Sequence, residues 1–242
     1  SKPRTRIVFS MYPPVLEELM LQPFIQKKRI IMLIKSFCRI TNQSIVLDRA
    51  RRPELEKLMM GNHVVEDLDR IFLFLKVDFP SYKNMDDYSK LGFITAELLM
   101  RHNGYDPSVS KPDMGLFIYS RSGCLGADYN LVRVMEGLHA DDQAYKRSIP
   151  NAVCSDIALR HNIQGEMGIF LSDGFIYEQF FRTCFGTLET EPSLNTLLAG
   201  YLECYGGYAS SLLCLLTRSP EHPPMDYDLR EERFCIDLLR IY

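Results

Sequence analysis

GEMGIFLSDGF, residues 165–175, carries the most information about the architecture of this chain. Together with SIPNAV at 148–153, it predicts a capped helix, a turn marked by Gly165, a buried apolar strand and a tight turn into another helix. Many α/β enzymes hold a nucleophile on such a strand–turn–helix. Here the turn offers Gly174 and Phe175, and neither side chain can attack a substrate.

The composition is that of an ordinary folded protein. Of its 242 residues, 46% are hydrophobic and 24% are charged, and the formal net charge is −3. A weakly acidic chain with scattered lysines and arginines has no electrostatic reason to bind nucleic acid, so we expect no such partner. The length allows a sizeable core in one large domain or two small ones.

The seven cysteines are odd in number and dispersed, and none forms a C-x-x-C pair. This usage is typical of reduced thiols in a cytoplasmic protein. No secretory signal is visible, and no apolar run approaches the ~20 residues of a membrane-spanning helix. No cofactor motif is found. His139, Asp141 and Asp142 have no second histidine or cysteine nearby, so they predict a solvent-facing turn rather than a metal site.

We expect two regions, a helical N-terminal arm at 1–37 and one α/β domain at 38–242. The arm holds two apolar runs separated by Pro23, and it either docks on its own domain or binds a partner. Helices alternate with apolar strands in the domain, which favours a layered α/β fold with a mixed, mostly parallel sheet flanked by helices. The predicted strands are 39–47, 114–120, 167–171, 197–203 and 234–242, and the predicted helices are 53–60, 86–102, 151–161 and 176–185, the last capped by Asp173.

Four of these blocks, in this order, resemble the N-terminal half of a β-ketoacyl synthase of the thiolase fold. They are FPSYKNMDDYSKLG at 79–92, GLFIYSRSGCL at 115–125, IPNAV at 149–153 and LAGYLE at 198–203. The first resembles the family's methionine and serine-lysine entry to a long helix, the third its leucine-proline-asparagine helix start, and the fourth its alanine-glycine-glycine strand. The resemblance covers about residues 38–205 and implies a thiolase-like half-fold.

The resemblance also implies where a condensing cysteine belongs, because active members carry it in an alanine-cysteine-alanine-serine turn before a helix. A helix N-terminus there lowers the pKa of the thiol and supplies amide donors to an oxyanion. Aligning the strand after Gly165 puts Gly174 or Phe175 at that position. Cys184 lies roughly 15 Å further along the predicted helix, at ~1.5 Å per residue, so it cannot substitute. The family's two catalytic histidines belong to the other half-domain.

The sequence therefore predicts a catalytically inactive ketosynthase-like subunit. The resemblance implies a place beside a true ketosynthase and an acyl carrier protein, like that of a chain length factor, in fatty-acid or polyketide-type biosynthesis. It also implies a homo- or heterodimer paired through the strand Met167, Gly168, Ile169, Phe170 and Leu171, whose apolar centre suits a buried pairing strand.

Two alternatives stay open from the sequence. One is an acyl-transferring enzyme with a relocated nucleophile, for example Cys124 in the loop 121–126, which has no visible base, or a site that the sequence does not reveal. The other is a stand-alone homodimeric relic. Cys154 and His161 lie about 10 Å apart along one predicted helix, too far for a thiol–imidazole hydrogen bond.

Overall fold

A computed structural model describes residues 31–48, 50–59, 64–137 and 142–219 of the chain. The first 30 residues of the predicted arm, the predicted strand 234–242, and His139 and Asp141 lie outside the described residues. The strands are β1 Ile31–Thr41, β2 Ile45–Leu47, β3 Ala50–Arg51, β4 Met114–Ser120, β5 Met167–Leu171, β6 Thr196–Tyr205 and β7 Tyr208–Ser219. The helices are α1 Pro53–Glu56, α2 Val64–Leu75, α3 Asp87–His102, α4 Leu125–Glu136, α5 Asp142–Arg147, α6 Ala152–His161 and α7 Tyr177–Thr190, with a 3-10 helix at Pro80–Asn84.

The strands form one seven-stranded sheet in the order β3-β2-β1-β7-β6-β4-β5. β4 pairs in parallel with both β5 and β6, whereas the other four pairs are antiparallel. Following these pairings across the sheet, β1, β3, β4, β5 and β6 run in one direction, and β2 and β7 run in the other. The predicted mixed sheet is confirmed, although four of its six neighbouring pairs are antiparallel where the sequence predicted mostly parallel ones.

The predicted helical arm is wrong where the structure describes it, because residues 31–37 are the first part of β1. This strand pairs along its length with β7, from Ile31 opposite Ser219 to Thr41 opposite Ser210. Among the described strands, this part of β1 is paired only with β7, because β2 pairs with residues 38–40. Its sequence, Ile31 to Ile34, is a continuous apolar run that suits a strand or a helix. Such a run cannot be distinguished from a buried helix by periodicity alone.

Strand β7 was not predicted, and it forms a hairpin with β6. Gly206 and Gly207 make the turn with φ values of +61° and +83°, a region that favours glycine. The two strands approach closely at Gly200, where a Cβ atom would lie 1.8 Å from the carbonyl oxygen of Leu212. Glycine is therefore required in the middle of β6 because the backbone of β7 occupies the place of a side chain.

Helices cover both faces of the sheet, as predicted. α3 and α6 pack on one face against residues such as Leu116 and Ile118. α7 packs on the other face against Phe117 and Tyr119, which alternate with them along β4. The start of α3 agrees with the sequence prediction, since the Asp86 side chain accepts a hydrogen bond from the backbone N–H of Ser89.

Candidate functional site after strand β5

The turn after β5 is tied to the end of the neighbouring strand β4. The N–H of Ser172 donates to the carbonyl of Ser120 at 3.1 Å, and the Ser172 hydroxyl donates to the carbonyl of Gly174 at 2.6 Å. The predicted cap at Asp173 is wrong, because α7 begins at Tyr177 and the residue at its N-cap, Ile176, has no capping side chain. The tight turn fills positions 172–176 and leaves Asp173 exposed before the helix starts.

Phe175 turns its ring into a cluster of aromatic side chains. Its ring centroid lies 5.2 Å from that of Phe180, 5.3 Å from that of Tyr201 and 6.3 Å from that of Tyr119. Tyr119 in turn stacks on Phe170 of β5 at 4.5 Å. Together these rings form an aromatic cluster that packs the turn against β4, β5, β6 and α7. In contrast, Gly174 faces open space, with no atom within 4 Å of a Cβ placed there.

A buried carboxylate, which sequence reasoning missed, holds the adjacent loop. Glu203 of β6 accepts hydrogen bonds from the N–H of Arg121 at 3.0 Å, from the N–H of Ser122 at 3.1 Å and from the Tyr201 hydroxyl at 2.9 Å. It is only 8% exposed, so these donors replace water around the charge. The sequence feature that indicates this role is a glutamate inside the apolar run of β6, because a charged side chain in a buried strand needs hydrogen-bond partners.

Cys124, the candidate for a relocated nucleophile, is the N-cap residue of α4. Its thiol is buried and donates to the carbonyl of Ser148 at 3.1 Å, and the carboxylate of Asp128 lies 3.7 Å away. Burial and the negative charge of Asp128 raise its pKa to about 12. A thiol in this setting is protonated near neutral pH and has a weak nucleophilic character.

The other candidate thiols are also enclosed. Cys184 lies within α7 and is fully buried, and burial raises its pKa far above the ordinary value. Cys154 and His161 share α6 as predicted, but they face different neighbours. The Cys154 thiol lies 4.0 Å from the Gly168 carbonyl, whereas the Nε2 atom of His161 lies 3.5 Å from Glu97 on α3. The structure thus does not pair this thiol with this imidazole.

Strand β5 forms one edge of the described sheet. The N–H of Leu116 donates to the Glu166 carbonyl, and the Ser172 N–H donates to the Ser120 carbonyl. In a parallel ladder this register turns the even-numbered backbone groups of β5 toward β4. Met167, Ile169 and Leu171 therefore point their N–H and C=O groups away from β4, where no other described strand pairs with them. The strand carries no charged residue, and charges are what commonly protect an exposed edge.

The part of the chain that the structure describes has neither a membrane-spanning helix nor a cluster of metal-binding side chains. No helix within it is long and apolar enough to cross a membrane. The described residues also contain no group of three or more histidine, cysteine, aspartate or glutamate side chains that could hold a metal ion.

No protein-family model matches the sequence, and no curated protein matches it. Solved structures match its fold. One is a ketosynthase in complex with its chain length factor from Xenorhabdus doucetiae, with 10% identity, 78% of this chain and 79% of that chain covered, and a TM-score of 0.52. Another is the ishigamide ketosynthase/chain length factor, with 12% identity, coverages of 79% and 63%, and a TM-score of 0.57.

A third is a type II polyketide synthase acyl-carrier protein in complex with its ketosynthase bound to the hexaketide, with 8% identity, coverages of 78% and 63%, and a TM-score of 0.56. The match spans less than two thirds of the second and third of these chains. At such low identity the likeness concerns the fold. The described part of this chain therefore has the thiolase-like fold found in ketosynthases and chain length factors.

Proposed function

We propose that this chain is a non-condensing ketosynthase-fold subunit that acts beside a true ketosynthase in fatty-acid or polyketide-type synthesis, in the manner of a chain length factor. The observation that carries the proposal is the turn after β5. The resemblance to ketosynthases implies that active members carry the condensing thiol in this turn, and in this chain the turn holds Gly174 and Phe175, which supports the proposal. The Phe175 ring packs among Phe180, Tyr201 and Tyr119.

The chemistry of condensation supports this proposal. An acyl-accepting thiol works as a thiolate, beside amide donors that stabilise the oxyanion of the tetrahedral intermediate. The first turn of α7 carries no thiol, and Cys184 is sealed inside the helix–sheet interface. Cys124 has a pKa raised by burial and by its acidic neighbour Asp128, which disfavours a thiolate, whereas a histidine or a cation would stabilise one. The relocated-nucleophile alternative therefore has little chemical support.

The partner proposal rests on the edge strand β5. A ketosynthase-fold chain could add its own edge strand there, and three outward backbone positions, Met167, Ile169 and Leu171, would supply the hydrogen bonds. The solved structures with the same fold include a ketosynthase bound to its chain length factor and a ketosynthase bound to an acyl-carrier protein. A carrier protein would bring its acyl group to the ketosynthase of such a pair.

Co-expression tests this proposal. The tagged chain is produced together with a cysteine-containing ketosynthase encoded in the same genome, and the recovered complex is measured by native mass spectrometry. We expect a heterodimer with the wild-type chain. Ile169→Pro removes the outward N–H and should abolish it, whereas Ile169→Ala removes the same side chain, keeps that N–H and should retain pairing. No complex with the wild-type chain would contradict the proposal.

A further inference from the structure

Helix α4 has apolar side chains on two opposite sides. Toward the protein it places Ala127, which is buried, and Leu131 and Val134, which are half-buried. On the outward side, four apolar residues follow the helical spacing i, i+4, i+7 and i+10. They are Leu125, Tyr129, Val132 and Met135, and the last three are 64%, 53% and 65% exposed. A helix that is apolar on both sides is typical of one covered on both sides.

The same surface continues onto the segment after α5. Cys124 donates to the carbonyl of Ser148, which places Ile149, the next residue, close to Leu125 at the start of α4. Ile149 is exposed, and so is Tyr145 on α5, a helix that packs on α4. Single exposed apolar residues are normal on a protein surface, whereas several on elements that pack on one another are typical of an interaction site.

This surface also reaches the open edge of β5. A Cβ placed on Gly123 would lie 3.1 Å from the Leu171 side chain, so the last residue of β5 touches the loop that leads into α4. Leu171 is 56% exposed, and Ile176 and Tyr177, just beyond it, are exposed as well. The edge strand and the start of α4 are therefore neighbours, and one partner can contact both.

Strand pairing alone offers too little area for a stable dimer. β5 has five residues, whereas a stable interface commonly buries about 800 Å² on each partner and engages roughly 20–30 residues a side. The apolar residues of 125–149 and 171–177 supply the additional surface next to the strand. Large apolar side chains such as tyrosine and methionine are enriched at the centres of interfaces.

We propose that the outward face of α4 is the second half of the partner interface, and that the ketosynthase-fold chain that pairs with β5 also covers Tyr129, Val132 and Met135. This inference rests on the proposed function, since it concerns the same partner. The occupant is a ketosynthase-fold chain whose facing surface is mainly apolar, because the stripe on α4 offers four apolar side chains beside the exposed carboxylate of Glu136, four residues after Val132.

The test uses the same co-expression with the doubly substituted chain Tyr129→Glu/Val132→Glu. Both side chains are more than half exposed, so the fold should be unaffected, and circular dichroism checks this. The matched control is Leu73→Glu/Leu159→Glu, at positions on α2 and α6 that are 72% and 71% exposed. We expect the α4 variant to weaken binding to the ketosynthase at least tenfold, with the control unchanged.

The outcomes separate this inference from the proposed function. If Ile169→Pro abolishes the complex and the α4 variant binds as tightly as the wild type, the α4 interface is wrong and the proposed function stands. If the wild-type chain binds no ketosynthase and stays monomeric, both are wrong. If it forms only a homodimer that the α4 variant dissociates, the occupant is a second copy of this chain and the proposed partner is wrong.

Discussion

The ring of Phe175 lies 5.3 Å from the ring of Tyr201, and the hydroxyl of Tyr201 donates to the carboxylate of Glu203 at 2.9 Å. Glu203 also holds the N–H groups of Arg121 and Ser122. The turn after β5 and the loop after β4 are therefore linked through a single tyrosine of β6. This linkage stabilises the part of the fold where the condensing thiol of a ketosynthase is expected.

Phe175→Ala should lower the free energy of unfolding by about 2 kcal/mol. Replacing a fully buried phenylalanine with alanine costs about 3–5 kcal/mol. The cost is smaller here because Phe175 is half-buried, although its ring packs on Phe180, Tyr201 and Tyr119. Phe175→Leu keeps most of the apolar volume and should cost less than about 1 kcal/mol. Urea unfolding measures both, and equal stability of all three proteins would show that the ring does not hold the turn.

Substitution with alanine should lower the free energy of unfolding strongly at Gly200 and hardly at all at Gly174. Gly200→Ala places a methyl group onto the backbone carbonyl of Leu212 and should cost about 3 kcal/mol or more, because paired strands cannot separate without losing hydrogen bonds. Gly174→Ala meets no atom within 4 Å and should be nearly neutral. Thermal melts of the two variants test the prediction, and a large loss at Gly174 would contradict this geometry of the turn.

Glu203→Ala should destabilise the protein by about 2–4 kcal/mol, because it leaves the N–H groups of Arg121 and Ser122 without their charged acceptor. Tyr201→Phe removes one hydrogen bond to the same carboxylate and keeps the ring, so it should cost about 1 kcal/mol. Hydrogen exchange should locate the effect of Glu203→Ala at residues 121–124. Unchanged exchange there would contradict the assigned role of the carboxylate.

The stability of the protein should fall as the pH falls from 6.5 to 4, because of His161. Burial lowers its pKa from 6.5 to about 4, although Glu97 nearby opposes the shift. The folded state then binds fewer protons than the unfolded state in this window, so the free energy of unfolding decreases with falling pH, by about 3 kcal/mol once the pH is below 4.

His161→Gln is the variant that isolates this titration. Burial raises the pKa values of Asp86, Asp87 and Asp156. These groups therefore stabilise the folded state as the pH falls, opposite to the effect of His161. All three are present in both proteins and none of them is a cause of the His161 shift, so the difference between the two pH profiles reports the titration of His161 together with its charge interaction with Glu97. The variant should show a shallower decline between pH 6.5 and 4 in urea unfolding, and parallel profiles would refute the prediction.

Elements with local signals were predictable from the sequence. The long helix α3 was predicted at 86–102 and spans Asp87–His102, with Asp86 as its N-cap. Strands β4 and β5 have the predicted bounds, because each is a short apolar run between turn residues. The turn itself was placed correctly, but its helix begins after Ile176 and extends to Thr190, since aromatic packing rather than an Asp173 cap fixes its start.

Elements that depend on distant parts of the chain were missed. Residues 31–37 form a strand only because β7 pairs with them, and β7 lies about 180 residues away in sequence. Helix α4 was not predicted because its apolar residues occupy both sides and hide the helical period. The role of Glu203 depends on two donors from the loop after β4 and one from β6, and no local pattern reports such a set.

Intact-protein mass spectrometry of the co-expressed heterodimer, after incubation with an acyl thioester, tests the central claim most directly. The account predicts an acyl adduct on the ketosynthase and none on this chain, because Cys124, with a pKa near 12, has a negligible thiolate fraction near neutral pH. An adduct on this chain, at Cys124 or any other residue, would contradict the account of a non-condensing subunit.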